Sequence, residues 1–331
     1  MLEKGNYDMK IAILGAGRIA VHMAETLAGM DDVEAYAVGA RELERAEAFA
    51  EKYGIGKVYD DFHEMFTDPE VDVIYITTPH NTHLGFMKEA IANGKHILVE
   101  KSITLNSDEL DEAIALAKEK GVIIGEAMTI YHMPIYKELK KLLDSGSLGR
   151  VNLITMNFGS FKEYNMKNRF FNRNLAGGAM LDIGVYALSF IRWFFDSKPD
   201  QLLSQVKPAP TGVDEQAGLL LTNQEGQMAS VMLSLHSKQP KRGMVSCENG
   251  FIEIMEYPRA WEAKITDAST GESEIIKAGE NADALAYELA DMERAINGDA
   301  SAMHLDYTKD VMDLMTSFRR TWGYTYPEEE K

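Results

Sequence analysis

Short, uncharged apolar runs alternate with helix-like patterns along the first 125 residues of the chain. Runs of this kind are typical of strands buried on both faces, whereas apolar residues that recur every three or four positions indicate amphipathic helices. The predicted strands are Ile11–Leu14, Val33–Gly39, Lys57–Tyr59, Val71–Thr77, His96–Val99 and Val122–Ile124. Strands that alternate with helices in this way predict a doubly wound, mostly parallel sheet.

The pattern changes after residue 127, where longer segments alternate apolar and polar positions. This alternation indicates an antiparallel meander, and Asn249-Gly250 predicts a type I′ hairpin turn. The strands predicted here are Val151–Phe158, Gly218–Thr222, Met228–His236, Met244–Glu248 and Phe251–Met255. A glycine-rich helical segment at 176–195 interrupts them, and two helices, Ala284–Asn297 and Leu305–Trp322, follow.

The two patterns predict an α/β protein of two domains. The first domain is residues 1–127, of which residues 1–9 are a short tail. Residues 128–331 form an α+β domain with an open antiparallel sheet. The strands of that second sheet are apolar at both alternations, as in Leu153 with Ile154 and Met232 with Leu233. Because a sheet that is apolar on both faces needs cover on both, we expect a homodimer or homotetramer built on it.

Charge and cysteine content narrow the class of protein. The 331-residue chain carries a formal net charge of −18, which argues against nucleic acid or an anionic membrane as a partner. No apolar run reaches the length of a membrane span, and the first strand starts too near Met1 for a secretory signal to precede it. With Cys247 as the one cysteine, we expect a cytoplasmic protein without an internal disulfide, and we predict no metal site.

A glycine motif directly follows the first predicted strand. Gly15-Ala16-Gly17-Arg18-Ile19-Ala20 matches G-x-G-x-x-G/A and leads into a helix pattern. In such a turn the first glycine allows a tight bend, the second lets a pyrophosphate approach the backbone, and the helix N-terminus offers unpaired N–H donors. A glycine turn without a ligand is the alternative, but the strand–turn–helix context favours dinucleotide binding.

The end of the second predicted strand bears on the choice of dinucleotide. NAD-specific proteins of this fold usually carry a carboxylate there that binds the adenosine ribose. This chain has Arg41 instead, and a guanidinium suits the 2′-phosphate of NADP(H). A solvated loop arginine is the alternative. We therefore expect NADP(H) to be preferred, with NAD(H) possible.

Three further motifs complete a family resemblance. They are Thr78-Pro79-His80-Asn81-Thr82-His83, Glu100-Lys101, and the run Gly177–Tyr186 with the sequence GGAMLDIGVY. Together with the glycine motif, they resemble the glucose–fructose oxidoreductase / inositol dehydrogenase / MocA family of NAD(P)-dependent oxidoreductases. The resemblance implies an N-terminal Rossmann domain and an α+β second domain whose open sheet often forms a subunit interface.

The resemblance also implies roles for individual residues. Lys101, Tyr186 and Asp182 correspond to the catalytic positions, whereas Thr78, Pro79, His80, His83, Glu100 and Lys101 join the glycine motif and Arg41 in cofactor binding. From spacing alone, Lys101 could be a surface lysine and Tyr186 could be helix core. Most family members carry histidine at the position of Tyr186; tyrosine is similar to the NADP(H)-using branch that includes the dimeric dihydrodiol dehydrogenases.

In that branch a Lys–Tyr pair performs acid–base chemistry. A phenol titrates near 10, so Tyr186 is a proton donor at neutral pH, and a nearby Lys101 ammonium would stabilise its phenolate. The chain departs from the family at Ser102, where proline is usual and a looser loop is expected, and at Tyr131 and Thr129, near the substrate in that branch.

We therefore expect an NADP(H)-dependent oxidoreductase that interconverts a secondary alcohol and a carbonyl on a small polar molecule such as a sugar or polyol. The alternatives are a trans-dihydrodiol-type dehydrogenase and a regulatory protein that senses NADP(H) without catalysis.

Overall fold

The computed structural model describes residues 9–330, so residues 1–8 of the predicted tail lie outside the described residues. The chain folds into two compact units. One contains the described residues up to Thr104, together with Asp108–Ala127 and Leu285–Leu305. The other contains Leu105–Ser107, Met128–Ala284 and the described residues from Asp306 onward. The segment Leu285–Leu305 thus belongs to the first unit, although the sequence assigns it to the second domain.

The first unit is built on a six-stranded parallel sheet with the strand order β3-β2-β1-β4-β5-β6. This is the order of a dinucleotide-binding Rossmann sheet. Its strands are β1 Met9–Leu14, β2 Val33–Gly39, β3 Lys57–Tyr59, β4 Val73–Ile76, β5 His96–Glu100 and β6 Ile124–Ala127. The helices between them are α1 Arg18–Leu27, α2 Leu43–Tyr53, α3 Phe62–Thr67, α4 His83–Ala92 and α5 Ser107–Lys120.

The last strand of this sheet begins later than the predicted Val122–Ile124. The amide of Val122 still donates to the carbonyl of Ala117 at the end of α5, and Gly121 has a φ of 68°. The C-terminal turn of α5 therefore reaches Val122, and the strand begins only at Ile124.

The returning segment Leu285–Leu305 begins within helix α9, Ala284–Ile296. Leu285, Leu289 and Met292 of this helix join the core formed by the parallel sheet and α1. Because helical spacing reveals an apolar face but not the sheet that it covers, the sequence pattern did not assign this helix to the first unit.

The second unit contains an eight-stranded sheet with the order β14-β13-β12-β11-β7-β10-β9-β8. Its strands are β7 Val151–Gly159, β8 Gln201–Pro208, β9 Asp214–Thr222, β10 Met228–Ser234, β11 Gln239–Cys247, β12 Gly250–Met255, β13 Glu262–Asp267 and β14 Ser273–Lys277. The helices of this unit are α6 Thr129–His132, α7 Pro134–Asp144, α8 Val185–Phe194 and α10 Leu305–Trp322.

Two expectations for the second sheet are wrong. Strands β7 and β10 pair in parallel, so the sheet is mixed, although its other strand pairs are antiparallel as predicted. Neither Asn249 nor Gly250 has a positive φ, so their turn is not type I′. Gly250 is needed for space instead, because a Cβ there would overlap the carbonyl oxygen of Thr266.

The two faces of the second sheet differ in burial. Ile154, Met156 and Phe158 on β7 and Val231 and Leu233 on β10 are buried. The opposite face exposes large apolar side chains on five of the eight strands: Leu203, Leu220, Met228, Met232, Leu153 and Met255. We call this set the outer apolar face.

One helical stretch among residues 9–330, Arg173–Phe194, has the length and apolar composition of a membrane span. Most of its most apolar window, 83%, is buried inside the protein, as in a core helix of a globular unit.

Candidate active site

The glycine turn lies between β1 and α1. Gly15 has a φ of 112°, and its amide donates to the carbonyl of Gly39 on β2 at 2.8 Å. A Cβ at Gly15 would overlap the hydroxyl of Thr77, which follows β4, so only glycine lets the two strand ends come together.

The next glycine faces open space. An added Cβ at Gly17 would meet no atom within 4 Å, and no side chain caps the N-terminus of α1. The first turn of α1 carries no acidic residue either. Space beside an uncapped helix N-terminus is what a pyrophosphate needs, so the turn fits a dinucleotide.

Two arginines lie near this turn. Arg41 follows β2 and is exposed. Arg45, in α2, donates from its guanidinium to the carbonyl of Ala16 at 3.0 Å. Sequence reasoning missed Arg45, because helical position alone does not show that its side chain reaches the glycine turn.

The motifs that follow β4 and β5 share one edge of the parallel sheet. Leu14 pairs with Ile76, and Ile76 pairs with Val99, so the strand ends are adjacent in space. The structure therefore brings the glycine turn, Thr78-Pro79-His80 and Glu100-Lys101 to the carboxyl edge, where ligands of doubly wound sheets bind. The Glu100 carboxylate there accepts a hydrogen bond from the Tyr75 hydroxyl.

Two histidines hold the loop that carries Lys101. A ring nitrogen of His80 lies 3.0 Å from the carbonyl oxygen of Lys101. The ring of His83 is fully buried, and its nitrogens lie 2.9 Å from the carbonyl oxygen of Thr78 and 3.1 Å from that of Ser102. Burial lowers the pKa of His83. His83 therefore ties the loop after β4 to the loop after β5.

The expected loosening at Ser102 is wrong. Ser102 is fully buried, and the next residue, Ile103, donates its amide to the Glu126 carboxylate at 3.0 Å. The histidine and glutamate bonds restrain the backbone at the position where the family usually has proline.

In the second unit, Asp182 lies in a π turn, Met180–Gly184, and Tyr186 lies in the first turn of α8. The expectation of one regular helix through both residues is therefore corrected to a π turn that continues into an α-helix. Such turns are frequent at functional sites. Asp182 is 8% exposed and lies 3.3 Å from the Arg169 guanidinium, measured from Oδ1 to Nη1.

Tyr186 differs from its neighbours in burial. Eight of the ten residues of α8 are buried, and Tyr186 and Arg192 are the two that are not. The ring of Tyr186 lies 6.1 Å from that of Phe158 on β7. Tyr186 is thus the aromatic residue of α8 that is only partly buried.

The two remaining family departures are packing residues in the second unit. Tyr131 is fully buried and stacks on Trp193 at 6.1 Å. Thr129 is nearly buried, and its hydroxyl donates to the carbonyl of Pro258.

Comparisons with known proteins agree with both units. Residues 9–128 match the model of an oxidoreductase family with an NAD-binding Rossmann fold, and residues 136–253 match the GFO/IDH/MocA C-terminal domain. A trans-1,2-dihydrobenzene-1,2-diol dehydrogenase of Xenopus tropicalis is 32% identical over 74% of each chain. The enzyme of that name from Oryctolagus cuniculus is 33% identical over 74% of each chain.

Solved structures share the fold. A 3-ketoreductase from Actinomadura kijaniata, in complex with NADP and TDP-benzene, has a TM-score of 0.84 at 20% identity and covers 94% of this chain and 97% of its own. An aldose–aldose oxidoreductase from Caulobacter crescentus, complexed with glycerol, has a TM-score of 0.84 at 23% identity with the same coverage.

The Rossmann sheet, its glycine turn and the matched relatives define an NAD(P)-dependent oxidoreductase. Within that class, the chain belongs to the Gfo/Idh/MocA family, which confirms the resemblance found in the sequence.

Proposed function

We propose that this protein interconverts a secondary alcohol and a carbonyl on a sugar, polyol or related polar molecule, with NADP(H) as cofactor. The observation that carries the proposal is Tyr186, the aromatic side chain that α8 leaves partly exposed one turn after the nearly buried carboxylate of Asp182. The names of the relatives support a hydroxyl or carbonyl substrate, since they include an aldose oxidoreductase, a ketoreductase and diol dehydrogenases.

The acid–base work is assigned to Lys101 and Tyr186. In carbonyl reduction the Tyr186 hydroxyl gives its proton to the developing alkoxide; in alcohol oxidation the phenolate takes it back. The Lys101 ammonium stabilises that phenolate. Asp182, paired with Arg169, orients substrate hydroxyls or the lysine. Bound NADP(H) supplies the hydride chemistry.

The remaining cofactor contacts are assigned to the first unit. The glycine turn, Gly15–Ala20, would hold the pyrophosphate at the open space beside Gly17. Arg41 would bind the 2′-phosphate, and its exposure after β2 supports this role. Thr78, Pro79, His80, His83 and Glu100 line or support the same edge.

We also propose that two copies of the chain associate through the outer apolar face and that the protein works in the cytoplasm. Met232 and Leu203 on this face are 57% and 68% exposed, an unusual exposure for such side chains over neighbouring strands. The single cysteine supports a reducing compartment.

The test is a cofactor-linked absorbance screen in both directions. The substrates are D-glucose, D-xylose and their polyols, with trans-1,2-dihydrobenzene-1,2-diol as the competing class, each with NADP(H) and with NAD(H). We expect turnover on an aldose or polyol that falls about 10²–10⁴-fold in Tyr186→Phe. Turnover on the dihydrodiol alone would show that the substrate is a diol of that class and not a sugar or polyol. Cofactor binding without turnover on any of these substrates would identify a sensor instead.

A further inference from the structure

The segment Tyr324–Glu330 reaches back to the glycine run that precedes Asp182. The hydroxyl of Tyr326 donates to the carbonyl of Gly177 at 2.7 Å, and Tyr326 is fully buried. The hydroxyl of Tyr324 donates to Oδ1 of Asp214 on β9. Both phenols therefore bond groups more than 100 residues away along the chain.

Asp214 connects Tyr324 to the π turn. The other carboxylate oxygen of Asp214 accepts a hydrogen bond from the backbone amide of Met180 at 2.5 Å. Met180 is the first residue of the turn that carries Asp182. The bonds thus run in sequence from the Tyr324 hydroxyl, through the Asp214 carboxylate, to the amide that starts the turn.

The glycine run has no room to shift toward these partners. Gly178 has a φ of 127°, and a Cβ there would overlap Oδ1 of Asp214. Its amide donates to the carbonyl of Phe170 at 3.0 Å, and that of Gly177 donates to the carbonyl of Asn172 at 3.0 Å. The loop on one side and Asp214 with Tyr326 on the other therefore define the path of this backbone.

The segment itself is fixed by a buried ion pair. Arg319 is 2% exposed and makes two hydrogen bonds of 2.8 Å to the Glu329 carboxylate. The amide of Tyr326 donates to the same carboxylate at 2.7 Å, and the Arg319 guanidinium lies 4.6 Å from the centre of the Tyr326 ring. Charged groups that are paired and bonded in this way are expensive to separate once buried, so the segment does not leave readily.

From these contacts we infer that Tyr324, Tyr326 and Asp214 are positioning residues, which hold the π turn so that Asp182 and Tyr186 keep their catalytic orientation. The inference rests on the proposed roles of Asp182 and Tyr186. It assigns an activity-related role to a segment that carries none of the family motifs named above.

The test compares Tyr324→Phe and Tyr326→Phe with Tyr59→Phe as the matched control. Tyr59 is buried in the first unit and donates to the Asp68 carboxylate at 2.6 Å, so all three changes delete one phenolic hydrogen bond and keep the ring. Amide hydrogen exchange of residues 178–186 is measured on the whole protein. The Tyr324 and Tyr326 variants are expected to exchange about 10-fold faster there, as for the loss of about one hydrogen bond, and the control at the parent rate.

Turnover is measured in parallel on the aldose or polyol that the screen identifies. Both test variants are expected to lose about 10- to 100-fold in kcat, as for misplaced catalytic groups, with KM little changed. Unchanged exchange at 178–186 would overturn the inference, as would equal kcat losses in Tyr59→Phe. Faster exchange at 178–186 with an unchanged kcat would also overturn it. If Tyr186→Phe kept the turnover of the parent protein as well, the error would lie in the proposed function itself.

Discussion

Replacing the buried carboxylate of Asp214 by an amide is expected to change how stability depends on pH. Asp214 is fully buried, and burial raises its pKa from 3.8 to about 6, even though it accepts hydrogen bonds from Tyr324 and Met180. An asparagine at this position is neutral at every pH. Its carbonyl can still accept from the Met180 amide, and its NH₂ can donate to the Tyr324 oxygen.

The direction of this pH dependence follows from proton binding. Because the pKa of Asp214 is higher in the folded protein than in the unfolded chain, folding favours the protonated acid. Its contribution to stability is therefore fully present below about pH 4 and is lost as the pH rises through about 6. A shift of roughly two pKa units corresponds to about 3 kcal/mol of unfolding free energy.

The assay is urea denaturation of the parent and of Asp214→Asn at pH 4, 5, 6 and 7, where all other titrations cancel in the difference between the two proteins. The stability of Asp214→Asn relative to the parent should rise by about 2.4 kcal/mol from pH 4 to pH 7, because part of the full shift is already lost at pH 4. A difference that stays flat, or that falls with pH, would show that the Asp214 carboxylate is not destabilised by burial and would refute the reasoning.

Three further predictions concern function and assembly. Arg41→Ala should weaken NADP(H) binding roughly 10- to 100-fold and leave NAD(H) binding nearly unchanged, because a hydrogen bond to a charged group contributes about 1.5–3 kcal/mol; equal affinities of the parent for both cofactors, measured by fluorescence titration, would contradict it. Tyr186→Phe and Lys101→Met should each lower kcat by about 10²–10⁴-fold, and the double variant should be scarcely slower than either, since the two groups serve one proton transfer; additive losses in steady-state kinetics would mean independent roles. Met232→Glu should dissociate the proposed dimer, as measured by light scattering at micromolar concentration. Leu43→Glu, at an exposed apolar position of the first unit, should leave the dimer intact. A parent protein that is already monomeric at this concentration would refute the proposed interface.

Local pattern was sufficient for the parallel sheet of the first unit and its edge motifs, but not for helix α9, which returns to this unit from the far end of the chain. The apolar strands, the glycine turn and the motifs at the carboxyl edge all follow from neighbouring residues and from the order of a doubly wound sheet. Strands β8, β13 and β14 were not predicted; the side chains of β8 and β14 are polar or exposed along most of each strand. The parallel pairing of β7 with β10 depends on residues some 75 positions apart, which no periodicity encodes.

The residues of the candidate site also fall into two groups, those that sequence motifs indicate and those that only the folded structure reveals. Motifs were enough to nominate Lys101, Asp182 and Tyr186 as catalytic residues. Motifs could not indicate Arg169 or Asp214, because their relation to the site exists only after distant segments have folded together. Such residues lie in stretches with ordinary loop or strand composition, so a single sequence gives no signal for them.

The return of Leu285–Leu305 to the first unit has a consequence for synthesis on the ribosome. When Ala127 has been made, the sheet still lacks the helix whose Leu285, Leu289 and Met292 cover it, and about 180 more residues must follow before Leu305 appears. At roughly 5–20 residues per second, this interval is about 10 to 35 seconds. During it the nascent chain presents uncovered apolar surface to the cell, a window in which chaperones can bind and neighbouring nascent chains can associate.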